Sequence, residues 1–274
     1  MKSIINPKEV LNELRKKPFI KQRSPEWFKL RENKLTASDL YDAIKNPLSL
    51  AKRKLKGITY NSSAIPALKW GTMFEPMATR IYSTMTKKDV YEFGLIINDN
   101  IEHFGASPDG ITEDGVMIEI KCPFKRKIID GDIPEKYYYQ IQGQLAVCNL
   151  NDCDYIECEF IQLSDENEYL EKTKKMDENY KHGIIAEFKI NGNYDYKYST
   201  NNQIGQMNIK EMNIYKEQGY NLIYWKLNLI NIQKVIFDEN KWKNEIISKI
   251  NKFYNIYINE KKLNDPANLF INDD

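Results

Sequence analysis

Apolar residues recur at helical spacing in residues 7–17 (PKEVLNELRKK) and 25–33 (PEWFKLREN). Each segment opens with Pro at a first-turn position, so the pattern predicts two helices. Thr36-Ala37-Ser38-Asp39 supplies cap-type side chains ahead of the periodic LYDAI, which predicts a third. The lysine-rich stretch 51–63 reads as a connector. From about Ala64 to Thr86 the period is again helical, with Gly71 and Pro76 placed to kink or split the helix. The period then shortens to two: residues 90–98, 103–109 and 115–122 read as three short strands of a β-meander. Residues 134–149 return to helical spacing and 153–163 to strand. That order predicts an α+β (mixed α/β) core, a central mixed sheet flanked by helices.

The last third predicts a polar helix over 165–182 and a hairpin of IIAEFKI and YDYKYS around Asn191-Gly192-Asn193. A strand-rich segment follows at 219–238, with a turn near Asn228–Asn231, and then an amphipathic helix over 240–262. These later strands either extend the first sheet or form an add-on. The expected division is a core over 1–163 and a C-terminal α/β extension over 164–274 packed on the same domain.

The 274 residues, 42% hydrophobic and 29% charged, are enough for one large domain with a real core. No apolar run approaches the ~18 residues of a membrane span, and MKSIINPKEVLNELRKK lacks the apolar centre of a signal peptide. The expectation is therefore a cytoplasmic, non-secreted protein whose four cysteines are reduced thiols. The net charge of +1 hides an uneven spread: residues 1–60 hold 15 Lys and Arg against 6 Asp and Glu, and the remainder is net acidic. A basic N-terminal segment suits a phosphate-facing surface, and equally suits solvated helix faces rich in Lys.

The chemistry is concentrated in Ser107-Pro108-Asp109-Gly110 and, nine residues further on, Glu119-Ile120-Lys121. On a strand, Glu119 and Lys121 project to one side while Ile120 points to the other. An Asp at one strand end and a Glu on the next can share a hard divalent cation, with Lys beside the attacking water. An exposed charged hairpin is the alternative for the motif alone. Two charges inside the apolar run VMIEIKCP favour the site, because buried charges need partners.

Asp109 with Glu119-Ile120-Lys121 resembles the PD-(D/E)xK nuclease core, a restriction-endonuclease-like fold. The wider set is similar to the lambda exonuclease / YqaJ-type viral recombinase nucleases over roughly residues 22–160. It comprises Trp27-Phe-Lys-Leu-Arg31, Leu35-Thr-Ala-Ser38, Trp70-Gly-Thr-Met-Phe-Glu75, Ser107-Pro-Asp-Gly110, Glu119-Ile-Lys-Cys-Pro123 and Tyr137-Tyr-Tyr-Gln140-Ile-Gln142. The resemblance implies Asp109, Glu119 and the Ile120 carbonyl as metal ligands, with Glu75 completing the site. It implies Lys121 as the catalytic lysine and Gln140 near Lys121 and the water. Gln142 and Gln144 are assigned off the helix face of Gln140. Arg31 and Ser38 match residues that bind a terminal 5′-phosphate, and Ser107 either joins them or only forms the turn before Pro108.

The implied activity is a Mg²⁺-dependent (Mn²⁺ substituting) 5′→3′ exonuclease on double-stranded DNA with a 5′-phosphate end, used in viral or phage recombination and end processing. Implied partners are a single-strand annealing protein and further copies of the chain, since the family includes ring-shaped trimers. A structure-selective or restriction-type endonuclease on the same core is the enzymatic alternative; a DNA-binding assembly module with dispensable catalysis is the other. His103 and His182 lack metal spacing and read as ordinary surface or strand residues. The spacing of Cys148, Cys153 and Cys158 lacks the CxxC expected of an iron–sulfur site. Among Tyr137–Tyr139, core contacts are expected for at least two, with base stacking the alternative.

Overall fold

The computed structural model describes residues 6–57, 65–176, 179–190, 193–198 and 209–264. The N-terminal third forms α1 (Pro7–Lys16), α2 (Pro25–Arg31), β1 (Leu35–Thr36), a 3₁₀ turn (Ala37–Asp39), α3 (Leu40–Lys45), α4 (Pro47–Leu55) and α5 (Pro66–Thr86). The middle forms β2 (Val90–Tyr91), β3 (Ile96–Ile97), β4 (Phe104–Ala106), β5 (Gly110–Thr112), β6 (Met117–Lys121), α6 (Glu135–Cys148) and β7 (Asp152–Leu163). The remainder forms α7 (Glu166–Thr173), β8 (His182–Ile190), β9 (Asn193–Lys197), α8 (Ile209–Glu217) and β10 (Asn221–Ile236). It closes on α9 (Glu239–Lys241), a π turn (Trp242–Ile246) and α10 (Ile247–Leu263).

Among the described residues, the main sheet runs β2-β5-β6-β7-β10-β8-β9, and β1-β4-β3 make a smaller one. β6 and β7 are parallel, joined by the crossover helix α6, and the other neighbours in the main sheet are antiparallel. The sheet is mixed and flanked by helices, as the sequence predicts. Strand alternation sets its two faces. Ile118 and Ile120 of β6 pack with Met73, Phe74, Met77 and Ile81 of α5, where Phe74 stacks on Phe160 at 4.3 Å. Met117 turns the other way, toward Ile141 and Leu145 of α6. Gly143 lets α6 settle closely: a Cβ there would meet Phe104, Ala37 and Leu40 at 3.0–3.1 Å. Glu119 and Lys121 share the face of Met117, so the charged pair lies beside α6.

Several expectations need correction. The meander is divided, because two-residue β3 pairs with β4 in the small sheet while β2 and β5 join the large one. The connector is helical up to Leu55, because Leu50 and Ala51 are buried on a face of α4; its residues 58–63 lie outside the described set. Pro76 leaves α5 continuous over 21 residues. Thr36 and Asp39 make no side-chain cap on the helical turns they precede; both are turned to arginines. The polar helix stops at Thr173, and His182 already begins β8.

β10 is one 16-residue strand, and the turn expected near Asn228 is a register shift between Leu227 and Leu229. A bulge adds one residue without ending the ladder, so polar Asn228 bends the strand and does not reverse it. β10 pairs with β7, so the later strands extend the first sheet. β8 and β9 pair as a hairpin from Ile190↔Asn193, with residues 191–192 outside the described set.

Candidate metal centre and phosphate pocket

Asp109 sits just ahead of β5, and its Oδ2 accepts the Ile120 N–H at 2.7 Å, which fixes it against the middle of β6. Glu119 is fully buried. A carboxylate stripped of water is costly unless hydrogen-bonded, and this one is held on both oxygens. Oε1 accepts from Gln140 Nε2 at 2.6 Å and from Lys121 Nζ; Oε2 accepts from Gln144 Nε2 at 2.7 Å. Burial alone pulls Lys121 down, but Glu119 and Asp109 more than reverse this and its ammonium is stabilised. Burial, with the like charges of Glu119 and Glu75 added, holds the Asp109 carboxyl well above its ordinary range. Glu75 lies on α5, and its Oε2 accepts from Arg23 at 2.7 Å.

Gln144 corrects the sequence reading. Residues four apart on a helix share a face, so Gln144 stands with Gln140 over Glu119, and the i, i+4 spacing carried that signal. Gln142 is on the far side, donating to the Ile236 carbonyl and accepting from the Asp238 N–H. The Oε1 of Gln144 is buried with no hydrogen-bond partner among the described residues. Gln144→Leu removes the donor to Glu119 Oε2 and leaves that oxygen buried and unmatched, at a cost of about 1–3 kcal/mol. Thermal unfolding of the metal-free variant is expected to show this loss, with partial recovery when Mg²⁺ is added.

The donor set suits a hard cation: the Asp109 carboxylate stands close enough to Glu119 and Glu75 for their charges to raise its proton affinity. Among the described residues no three His, Cys, Asp or Glu side chains form a ready-made metal cage. Each acid is instead engaged by a resident donor. This still fits Mg²⁺, which is commonly held by one or two carboxylates, waters and substrate phosphate.

The raised Asp109 carboxyl has a consequence for stability. Asp109 contributes stability in the metal-free fold that is fully present below the ordinary carboxylate range and lost as pH rises through its raised value. Mg²⁺ is therefore expected to raise the melting temperature more at about pH 8 than at about pH 5. Asp109→Asn is expected to remove that pH dependence, and differential scanning calorimetry against EDTA controls checks it.

A second constellation lies at the end of α2. Arg31 stacks on Trp27, 4.1 Å from guanidinium to ring, and donates to Thr36 Oγ1 at 3.1 Å and Ser38 Oγ at 3.2 Å. Burial lowers its proton affinity and Asp39 opposes this, but a guanidinium stays charged in proteins. Ser107 Oγ accepts from Trp27 Nε1 at 3.0 Å, so it supports the ring beneath Arg31 while its carbonyl lies 3.4 Å from Gln144 Nε2. Arg31, Ser38 and Ser107 are thus brought together, and Ser107 also borders the Glu119 cluster.

The remaining candidates are structural. His182 is buried and bonded to the Tyr169 hydroxyl, and His103 stacks on Tyr254 at 3.8 Å. Burial lowers the proton affinity of both. The four cysteines are free and buried, and burial raises their thiols, Cys148 and Cys158 to about 12. Tyr139 is buried and donates to Glu245, while the Tyr137 ring lies 4.8 Å from Lys121 Nζ and 5.7 Å from the Arg126 guanidinium.

Residues 26–151 match the YqaJ-like viral recombinase domain. A curated relative, an uncharacterized protein of Acanthamoeba polyphaga mimivirus, is 27% identical over 287 residues, covering 84% of this chain and 52% of the relative. The chain therefore spans about half the length of that protein. Among solved structures, the alkaline exonuclease of Laribacter hongkongensis superposes with a TM-score of 0.52 at 21% identity, covering 88% of this chain and 95% of that one. The same enzyme in complex with dAMP gives 0.52 at 22% identity, with the same coverage. At this identity the likeness establishes the fold. No helix of the described residues is long and apolar enough to cross a membrane.

Proposed function

We propose that this chain, whose residues 26–151 match the YqaJ-like viral recombinase domain, is a metal-dependent deoxyribonuclease. In this reading it is a 5′→3′ exonuclease on double-stranded DNA, acting in viral or phage recombination or end processing. One observation carries this: Asp109, Glu119 and Lys121 meet at adjacent strands β5 and β6, with Glu119 clamped by Gln140 and Gln144.

Asp109, Glu119 and the Ile120 carbonyl would hold Mg²⁺ or Mn²⁺, with Glu75 available to a second ion. The bound cation supplies Lewis-acid chemistry, lowering the pKa of water and neutralising charge at the phosphate. Lys121 holds the attacking water by hydrogen bonding from Nζ and offsets negative charge as the P–O bond to the 3′-oxygen breaks. Gln140 and Gln144 keep Glu119 in one rotamer, so its oxygens are oriented before substrate arrives. Arg31 and Ser38 take the 5′-terminal phosphate, the guanidinium offering paired donors to its oxygens, and Ser107 braces that pocket through Trp27. Fixing the end there would present the first phosphodiester to the acidic cluster, which Ser107 borders through its contacts with Trp27 and Gln144.

Linear 5′-phosphorylated duplex and covalently closed circles, each incubated with Mg²⁺, test the reading. Degradation of the linear form alone is expected; equal loss of closed circles would establish an endonuclease instead.

A further inference from the structure

Arg23 is placed unusually. It is a non-glycine residue with φ +66°, in the turn Lys21–Ser24 that the Ser24 N–H closes onto the Lys21 carbonyl at 3.2 Å. A side chain in the left-handed region carries a backbone cost that Gly avoids. The turn is held by what surrounds it. Gln22 Nε2 donates to the Phe93 carbonyl at 2.9 Å and to the Pro108 carbonyl at 3.0 Å, next to Asp109, and Ser24 caps α2. This anchored turn directs Arg23 to Glu75 at 2.7 Å, with the two side chains 47% and 30% exposed. At the other end of α2 stands Arg31, in the phosphate pocket.

Glu75 is thus already occupied by a cation of the protein's own, held at the rim of the acidic cluster. A half-exposed ion pair is weak and exchangeable, and a guanidinium accepts a phosphate as readily as a carboxylate. Resting on the nuclease reading above, we propose that Arg23 is an exchangeable counter-ion. It neutralises Glu75 while the centre lacks its divalent cation, and it passes to a DNA phosphate when that cation takes Glu75. Arg23 is then a DNA-binding residue distinct from the Arg31 pocket, and it makes cation binding and DNA binding mutually reinforcing.

The test uses Ca²⁺ as the probe ion and a 5′-phosphorylated duplex with phosphorothioate ends, so that binding is read without cleavage. Calorimetry measures Ca²⁺ affinity without DNA, and fluorescence anisotropy measures duplex affinity with and without Ca²⁺. Arg23→Gly suits the positive φ and retains the fold. It is expected to bind Ca²⁺ more tightly than the wild type, because no guanidinium has to leave Glu75. Its Ca²⁺-dependent gain in duplex affinity is expected to be roughly fivefold smaller, the lower end of the usual coupling range. Arg23→Lys, which keeps the charge without the fork, is expected to fall between. Arg23→Gly with Ca²⁺ affinity unchanged or weaker, and with the full gain in duplex affinity, would overturn the proposal. Asp109→Asn separates the two readings: undiminished Ca²⁺ binding there would remove the cation centre itself, whereas lost binding beside an unaltered Arg23→Gly would remove only the role of Arg23.

Discussion

Lys121→Ala is expected to lower kcat for duplex hydrolysis by about 10²–10⁴-fold, the range for a positioned proton-transfer or charge-stabilising group, with little change in KM. Nζ is bonded to Glu119 and lies within the field of Asp109, so it stays protonated. In the proposed mechanism its charge offsets the negative charge that the phosphate gains. The variant retains the Gln140 and Gln144 bonds to Glu119 but strips that buried carboxylate of its cationic partner, so a lowered melting temperature is expected as well, and circular dichroism at the assay temperature checks that the fold is kept. Single-turnover kinetics on a 5′-phosphorylated duplex make the measurement. A kcat within about threefold of wild type, smaller than any positioned group usually supplies, would remove Lys121 from the chemistry.

Arg31→Ala is expected to act on end selection. A charged hydrogen bond contributes about 1.5–3 kcal/mol, so the preference in kcat/KM for 5′-phosphate over 5′-hydroxyl ends should fall roughly 10–100-fold. The loss should come from the 5′-phosphate substrate, with hydroxyl-ended duplex nearly unaffected. Arg31→Lys should recover little, because the planar guanidinium stacks on Trp27 and one of its nitrogens already serves Thr36 and Ser38, leaving the other donors for phosphate, an arrangement an ammonium lacks. Competition between the two substrates in one reaction reports the ratio directly. Both effects should diminish as salt is raised, since phosphate contacts release counterions.

The centre was legible wherever chemistry and periodicity coincide. Two charges at i and i+2 in an otherwise apolar strand can be buried only if they share a face and find partners, and β6 does this with Glu119 and Lys121. Arg31 and Ser38 were readable from the resemblance, and their contact follows because α2 leads directly into β1 and the 3₁₀ turn. Gln144 escapes a reading that sets helix faces from neighbours two apart, although its i, i+4 relation to Gln140 puts both on one face of α6. Ser107 bracing Trp27 is a contact between residues 80 apart in sequence, which no local pattern encodes.

The fold shows the same division. Long periodic segments, α1, α5, α6 and β7, appear where the pattern places them. β2 to β5 are two or three residues long, and their partners are decided by tertiary packing. The bulge at Asn228 resembles a turn in sequence because both tolerate a polar interruption, and only the ladder to β7 distinguishes them. Residues 1–60 now have two arginines with separate proposed tasks, Arg23 at Glu75 and Arg31 in the phosphate pocket, which gives their basic surplus a use. Glu75, Asp109 and Glu119 lie in the net acidic remainder of the chain.

The central claim is that Asp109 and Glu119 hold a divalent cation that this chain uses to hydrolyse DNA from a 5′ end. The most direct measurement follows a linear duplex with a 5′-phosphate and an internal label near each end of one strand, incubated with Mg²⁺ and the wild-type chain or Asp109→Asn. The account predicts release of the 5′-proximal label before the 3′-proximal one, no release in EDTA, and none with Asp109→Asn even when its fold is intact. Intact duplex with the wild type in both Mg²⁺ and Mn²⁺, or equal release by Asp109→Asn, would contradict it.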